Sequence, residues 1–168
     1  TYELIRPMFG IRSIHGCDVT GDGQPEVIGA SSYYNAVVYW EMADTGWVET
    51  IVSSDFDFAN SAYGVDIDND GDNDIIGGAH ESNLVVWWEN NDEEWTQHLV
   101  GIGFDGVRTV TAADIDGDGD KDILGAAAHS GELAWFENVI ALVPITLEIV
   151  PHEPEFIDSL LCACLRDL

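Results

Sequence analysis

Asp66, Asp68, Asp70 and Asp72 fall at alternating positions, with Gly71 in the sixth place of the stretch and Asp74 in the ninth. Carboxylates packed this closely repel one another unless a cation sits among them. A compact set of hard oxygens suits calcium, which takes roughly six to eight oxygen ligands in irregular geometry. The glycine fits the sharp turn that such a loop needs. Asp66, Asp68, Asp70 and Asp74 are expected as side-chain ligands, and Asp72 through its backbone carbonyl. The pattern returns 48 residues on, where Asp114, Asp116, Asp118 and Asp122 offer side chains and Asp120 its carbonyl. A weaker copy stands 48 residues earlier, with Asp18, Thr20, Asp22 and Glu26, and Gln24 through its carbonyl. Thr20 replaces a charge by a neutral oxygen, so the expectation is two strong calcium sites and one weaker one. Affinities on the order of 10⁻⁴–10⁻³ M, those of extracellular modules, are expected.

These loops are not EF-hands. The twelfth position, where that loop carries a bidentate Glu, is Gly29, Gly77 and Gly125, and flanking helical patterns are missing.

The elements that must hold the loops share the 48-residue period. Tyr39-Trp40-Glu41 aligns with Trp87-Trp88-Glu89 and Trp135-Phe136-Glu137, and Trp47 aligns with Trp95. A period of this size points to a propeller or solenoid. Within the middle unit, short runs of Val, Ile, Trp and Tyr between Gly, Asn and Asp clusters predict four strands, at about 62–66, 74–79, 84–89 and 95–100. Residues 90–94 read as a hairpin turn. The fold expected is all-β: three repeats of four antiparallel strands, an incomplete β-propeller over 1–150, since closed propellers typically have about four to eight blades. Tyr2–Ile5 resembles the outer strand of a preceding unit, and 145–150 could supply the outer strand of the last. Over 151–168, Ile157, Leu160, Leu161, Cys164, Leu165 and Leu168 recur at helical spacing, which predicts a short amphipathic helix covering an open face or a neighbour.

The chain has 168 residues and a formal charge of −27, from 32 acidic and five basic residues. A nucleic-acid partner is excluded by that charge, and an anionic membrane surface is disfavoured. Disorder does not explain the acidity, because the first loop holds three of the acids and each of the others five, and aromatics are plentiful. No apolar run is long enough for a membrane span. The start at Thr1 suggests a trimmed product. Few cysteines and calcium loops of this kind point to an extracellular or cell-surface protein. Cys17 is expected as a small buried thiol, and each histidine as a satisfied or solvated imidazole.

The loop D-x-D-x-D-G-x-x-D, followed by two aliphatics, Gly and a small residue, with W-W-E-N closing the third strand, resembles the FG-GAP/VCBS repeat family over about 1–138. That resemblance implies integrin-α-like calcium-binding propeller repeats with a structural metal. The Phe-Gly element departs from the pattern at Ala62-Tyr63-Gly64 and Arg108-Thr109-Val110, and three repeats stand where the family commonly has about seven. The expected function is a non-enzymatic module for protein interaction, adhesion or self-assembly, with a second copy (in a ring or filament) or another extracellular protein as partner. Two alternatives stay open: a fragment of a secreted polysaccharide-degrading enzyme, and a glycan-binding lectin-like propeller. For the latter, Tyr33 and Tyr34 are the candidates, because Trp40, Trp47, Trp88, Trp95 and Phe136 recur as core positions should. No Ser-His-Asp order, zincin or P-loop signature appears.

Overall fold

The computed structural model describes Ile5 and residues 7–92 and 94–138. Among the described residues eleven strands form three antiparallel sheets, and there is no helix. The first sheet comprises β1 (Ile11–Cys17), β2 (Glu26–Ser31), β3 (Ala36–Ala43) and β4 (Gly46–Ser53) in sequence order. The middle sheet repeats this with β5 (Ala59–Val65), β6 (Asp74–Ala79), β7 (Leu84–Asn91) and β8 (Glu94–Ile102). In the last sheet, β9 (Val107–Ala113), β10 (Asp122–Ala127) and β11 (Glu132–Phe136) are described. Each acidic loop joins the first strand of its sheet to the second.

Register follows the repeat. Val27 faces Trp40, Ile75 faces Trp88 and Ile123 faces Phe136 across the second and third strands. In the first two sheets the tryptophan ring then lies against the glycine of the neighbouring strand. A Cβ on Gly77 would come within 2.4 Å of Trp88 Cζ3, and one on Gly29 within 2.7 Å of Trp40 Cζ3.

The core lies between sheets. Val19, Ile28, Val37 and Tyr39 of the first sheet meet Phe56, Ile75, Val86 and Trp88 of the middle one. Ile67, Ile76 and Val85 meet Phe104, Val107, Val110 and Ile123 in the same way. Edge-on aromatic pairs mark both junctions, Phe56 on Trp88 at 4.9 Å and Phe104 on Phe136 at 5.9 Å between ring centres. Met8 holds the same repeat position and, with Ile5, packs on Val38 and Trp40 on the far side of the first sheet.

Several expectations shift. β5 begins at Ala59, three residues early, and the hairpin turn narrows because β7 runs through Asn91 and β8 starts at Glu94. Asp92 takes the left-handed conformation the tight turn needs (φ 53°). Ile5 lies outside any strand. Residues 1–4, the strand expected over 145–150 and the helix expected over 151–168 lie outside the described residues. The recurring Trp40 and Trp88 are buried as core. Cys17 is half-buried against the first junction. Burial, reinforced by Asp18 and Glu26, pushes its thiol up to about 11.

Candidate metal centres

Local hydrogen bonds from the chain's own backbone shape the loops. In the middle loop Asp70 N donates to Asp68 Oδ1 (3.2 Å), Asp72 N to Asp70 Oδ1 (3.1 Å) and Gly71 N to Asp66 Oδ2 (3.2 Å). Aspartate carboxylates that accept from N–H groups a few residues on are what bends the chain. The other copies use the same devices: Gly23 N to Asp18 Oδ2 (2.9 Å), Gln24 N to Asp22 Oδ1 (2.7 Å), Asp118 N to Asp116 Oδ1 and Asp120 N to Asp118 Oδ1 (both 3.2 Å). Gly71, at φ 105°, takes the backbone through a region that side chains avoid.

Within each loop, three carboxylates bring oxygens within 4.8 Å of one another: Asp18, Asp22 and Glu26; Asp66, Asp68 and Asp70; Asp114, Asp116 and Asp122. These clusters could hold a metal ion. Asp18 Oδ1 and Asp66 Oδ1 are closed off from solvent and receive no hydrogen bond. A buried carboxylate oxygen without a donor is costly and is satisfied by a cation. Like charges act in the same direction. Burial, helped by Asp70 and Asp66, raises Asp68, and burial together with Asp70, Asp68 and Asp66 pushes Asp72 up to about 6.

Not every expected ligand joins its cluster. Asp74 stands apart from the converging oxygens of Asp66, Asp68 and Asp70. Its Oδ2 accepts from Ile67 N and its Oδ1 from Asn90 N, both at 2.9 Å. Asp122 accepts in the same way from Ile115 N and Asn138 N (2.9 Å each) and still lies in its cluster. Glu26 differs, since its Oε2 takes both Val19 N (2.8 Å) and Thr20 N (3.1 Å). Asp118, outside the third cluster, shapes the turn by accepting from Asp120 N. The ninth loop residue is therefore a backbone anchor before it is a ligand.

Sequence reasoning missed Asn90 and Asn138. Asn90, read as part of a turn, ends inside β7, where its Nδ2 donates to Val19 O (2.8 Å) and Asn73 O (3.1 Å). Asn138 Nδ2 donates to Ile67 O (2.6 Å) and Lys121 O (3.2 Å). The signal was present in the sequence: Glu-Asn follows the aromatic pair at 89–90 and again at 137–138.

Comparison with known families matches residues 18–77 and again 66–125 to the FG-GAP-like repeat, together more than half of the chain. The chain belongs to the FG-GAP-like repeat family. The two matches overlap by one acidic loop, so each spans from one loop to the glycine after the next. No curated protein matches the chain. FG-GAP-like repeats are typical of extracellular proteins and suggest an interaction module. Among the described residues no helix is long and apolar enough to cross a membrane.

None of the described histidines belongs to the loops' carboxylate clusters. His15 stacks on Tyr63 (4.0 Å) and accepts from Gly64 N (3.1 Å), and burial lowers its pKa. His98 stacks on Trp87 and pairs with Glu89 at 2.7 Å. Tyr33 and Tyr34 are exposed, in edge contact with each other at the end of the first sheet.

Proposed function

We propose that this FG-GAP-like chain is a calcium-stabilised, non-enzymatic module for protein interaction at or outside the cell surface, assembling sheet against sheet as the blades of a propeller do. Calcium is held by Asp66, Asp68 and Asp70 in the middle loop, by Asp114, Asp116 and Asp122 in the last, and more weakly by Asp18, Asp22 and Glu26 with Thr20. Carbonyls of Gln24, Asp72 and Asp120, with Asp118 at the rim, complete the oxygen shells. The orphaned oxygens of Asp18 and Asp66 support this reading, and so does the donor set, all hard oxygen. The metal's role is structural: it relieves repulsion and stiffens the loops between the first two strands of each sheet.

One observation carries the interaction reading. Val37 and Val85, equivalent positions in the first two sheets, are both fully buried by the sheet that follows, whereas Leu133 in the last sheet is 87% exposed. Val19 and Ile67 are 2% and 3% exposed, and their equivalent Ile115 is 48% exposed. The last sheet thus presents an apolar face of the kind already buried twice within the chain. Apolar faces of that kind mark docking sites. The occupant is a sheet of the same repeat type arriving head to tail, and where a second copy supplies it the contact runs on into rings or filaments. A native mass spectrum in millimolar calcium tests both parts at once. Two or three calcium ions per chain, with association lost in Leu133→Arg, support the reading. A chain that binds no calcium, or glycan turnover by the pure protein, overturns it.

A second reading is favoured by one feature. Phe9, Tyr33 and Tyr34 are exposed, and the Tyr33 ring touches both of the others, an aromatic platform of the kind sugars stack on. Glycan-array binding lost in Tyr33→Ala with Tyr34→Ala would favour it.

A further inference from the structure

Both junctions between sheets carry the same polar tie. Asn90 of the middle sheet reaches back to the carbonyl of Val19 in the first, and Asn138 reaches back from the last sheet to the carbonyl of Ile67 in the middle one. The backbone N–H of each asparagine is held by the ninth residue of its own loop, Asp74 or Asp122. The tie therefore belongs to a three-part unit of loop aspartate, strand asparagine and the carbonyl of the preceding sheet. Asn90 is 3% exposed, so its amide makes these bonds away from water.

The first sheet breaks the unit at two points. Its position equivalent to Asn90 is Met42, which faces Trp47 across β3 and β4 as Asn90 faces Trp95 across β7 and β8. Met42 is exposed, and a thioether cannot donate a hydrogen bond. The loop residue that would hold its N–H is Glu26, which turns instead to Val19 and Thr20. At the other end the acceptor position is kept: Ile115, equivalent to Val19 and Ile67, lies on the face of the last sheet that no described sheet covers.

We propose that the uncovered face of the last sheet is the docking site for another sheet of this repeat type whose third strand ends in asparagine, and that Met42 makes the first sheet of a second copy a poor occupant. The inference rests on the interaction reading above and names its partner class. Continuity with the two junctions inside the chain supports it: the apolar positions are the same, the register is the same and the acceptor is the same. A copy presenting Met42 would cover the Ile115 carbonyl without supplying the donor that the other two junctions have, and a buried acceptor without a partner weakens association.

The experiment uses the full chain in millimolar calcium and follows association over a wide concentration range by sedimentation, for the unchanged chain, Met42→Asn, and Met42→Asn with Leu133→Arg. Met42→Asn is expected to self-associate about tenfold more tightly than the unchanged chain, the gain that the hydrogen bonds of one buried amide give. Adding Leu133→Arg is expected to abolish that association. Because Met42 is exposed, thermal melting of the single variant should match the unchanged chain and confirm an intact fold. Equal association of the unchanged chain and Met42→Asn overturns the inference and leaves the docking reading in place. Association that survives Leu133→Arg overturns both. No association of either form, or cross-links within the monomer that place residues 151–168 over Leu133, also overturns the inference.

Discussion

The first and middle loops are the same backbone device built from different side chains. In the middle loop Asp74 spends one oxygen on the loop, at Ile67 N, and the other on the third strand, at Asn90 N. In the first loop Glu26, longer by one methylene, turns a single oxygen onto two adjacent N–H groups of the loop, Val19 and Thr20. The middle version therefore couples loop, strand and neighbouring sheet, while the first anchors the loop alone. Met42 in place of asparagine completes the difference. The ninth residue thus decides how a loop is tied to the fold, and only at Asp74 does it leave the carboxylate cluster to do so.

The largest expected effect comes from calcium. A site saturated at about a hundred times its dissociation constant stabilises the fold by about 2.7 kcal/mol. For affinities on the order of 10⁻⁴–10⁻³ M that ratio needs roughly 10–100 mM calcium, at which two strong sites should contribute roughly 5 kcal/mol, for a chain of this size a melting shift of about 10–20 °C. Calorimetry with and without chelator reads it. The comparison sharpens through Asp66→Asn and Asp18→Asn. The first should remove about half of the calcium-dependent shift and the second much less, because the first loop already has neutral Thr20 where the others have a charge. Equal losses would mean that all three loops bind alike.

Next in size is the anchor itself. Asp74→Ala leaves the N–H groups of Ile67 and Asn90 without acceptors and releases the tie to Val19. Buried groups orphaned in this way cost about 1–3 kcal/mol each, so a loss of about 3 kcal/mol or more is expected even without metal. Asn90→Ala should cost somewhat less, about 2 kcal/mol, through the same tie. Glu26→Ala also orphans two N–H groups, but it touches no third strand and no neighbouring sheet. A denaturant series in chelator separates the cases. Non-additive losses for Asp74→Ala with Asn90→Ala, against additive ones for Glu26→Ala with Asn90→Ala, would establish the coupling.

Much of this was legible in the sequence, and what was not has a physical cause. The 48-residue period, the strands of the middle unit, the burial of Trp40 and Trp88 and the place of the acidic loops all follow from local composition repeated in register. The double duty of Asp74 does not, because a carboxylate that binds metal and one that accepts two backbone N–H groups look alike in sequence. The Asn90 tie joins residues 71 apart and crosses between sheets, a relation that turn chemistry cannot supply. Asn90 looked like turn material because asparagine favours turns, and tertiary bonding overrode that preference. Nor could a local reading see that Gly64 is small because Cys17 and Ile28 lie against it, where a Cβ would meet the Cys17 Cβ at 2.6 Å.

A smaller effect is expected at the glycines beneath the aromatic rings. An added methyl at Gly77 would press on Trp88 and come within 3.0 Å of Phe56 as well, in a junction closed by sheets on both sides. At Gly29 the ring is that of Trp40, covered on its far side by Ile5 and Met8 among others. Gly77→Ala should cost about 2–3 kcal/mol and Gly29→Ala about 1, since the ring with less packed behind it can shift. Reversed magnitudes in urea melts would show that the cover from residues 5–8 is as rigid as a full sheet.

A pH dependence separates the middle loop from the last. Asp74 and Asp122 are equally closed to solvent, at 1% each. Burial, with Asp68 adding repulsion, outweighs the N–H groups of Asn90 and Ile67 and pushes Asp74 up to about 6. At Asp122 burial acts in the same direction, but the N–H groups of Asn138 and Ile115 outweigh it and hold the carboxyl below its usual value. The middle loop is covered by another sheet, and the last loop has solvent close behind Ile115. A carboxyl raised in the folded state holds a proton that the unfolded chain releases, so folding takes up protons between the usual 3.8 and about 6. Without metal, the shares of stability from Asp72 and Asp74 are present in full below that window and are lost as pH rises through it. Asp122 has the opposite sign: its contribution is present above 3.8 and is lost as pH falls below it. In chelator the melting temperature should therefore decline from about pH 4 to about pH 6, and Asp74→Asn should flatten part of that decline. Calcium binds the charged carboxylates and displaces protons, so with calcium present the slope over the same window should change sign. A metal-free melting temperature that rises with pH between 4 and 6 would mean that the backbone N–H groups, and not burial, control the middle loop as they control the last.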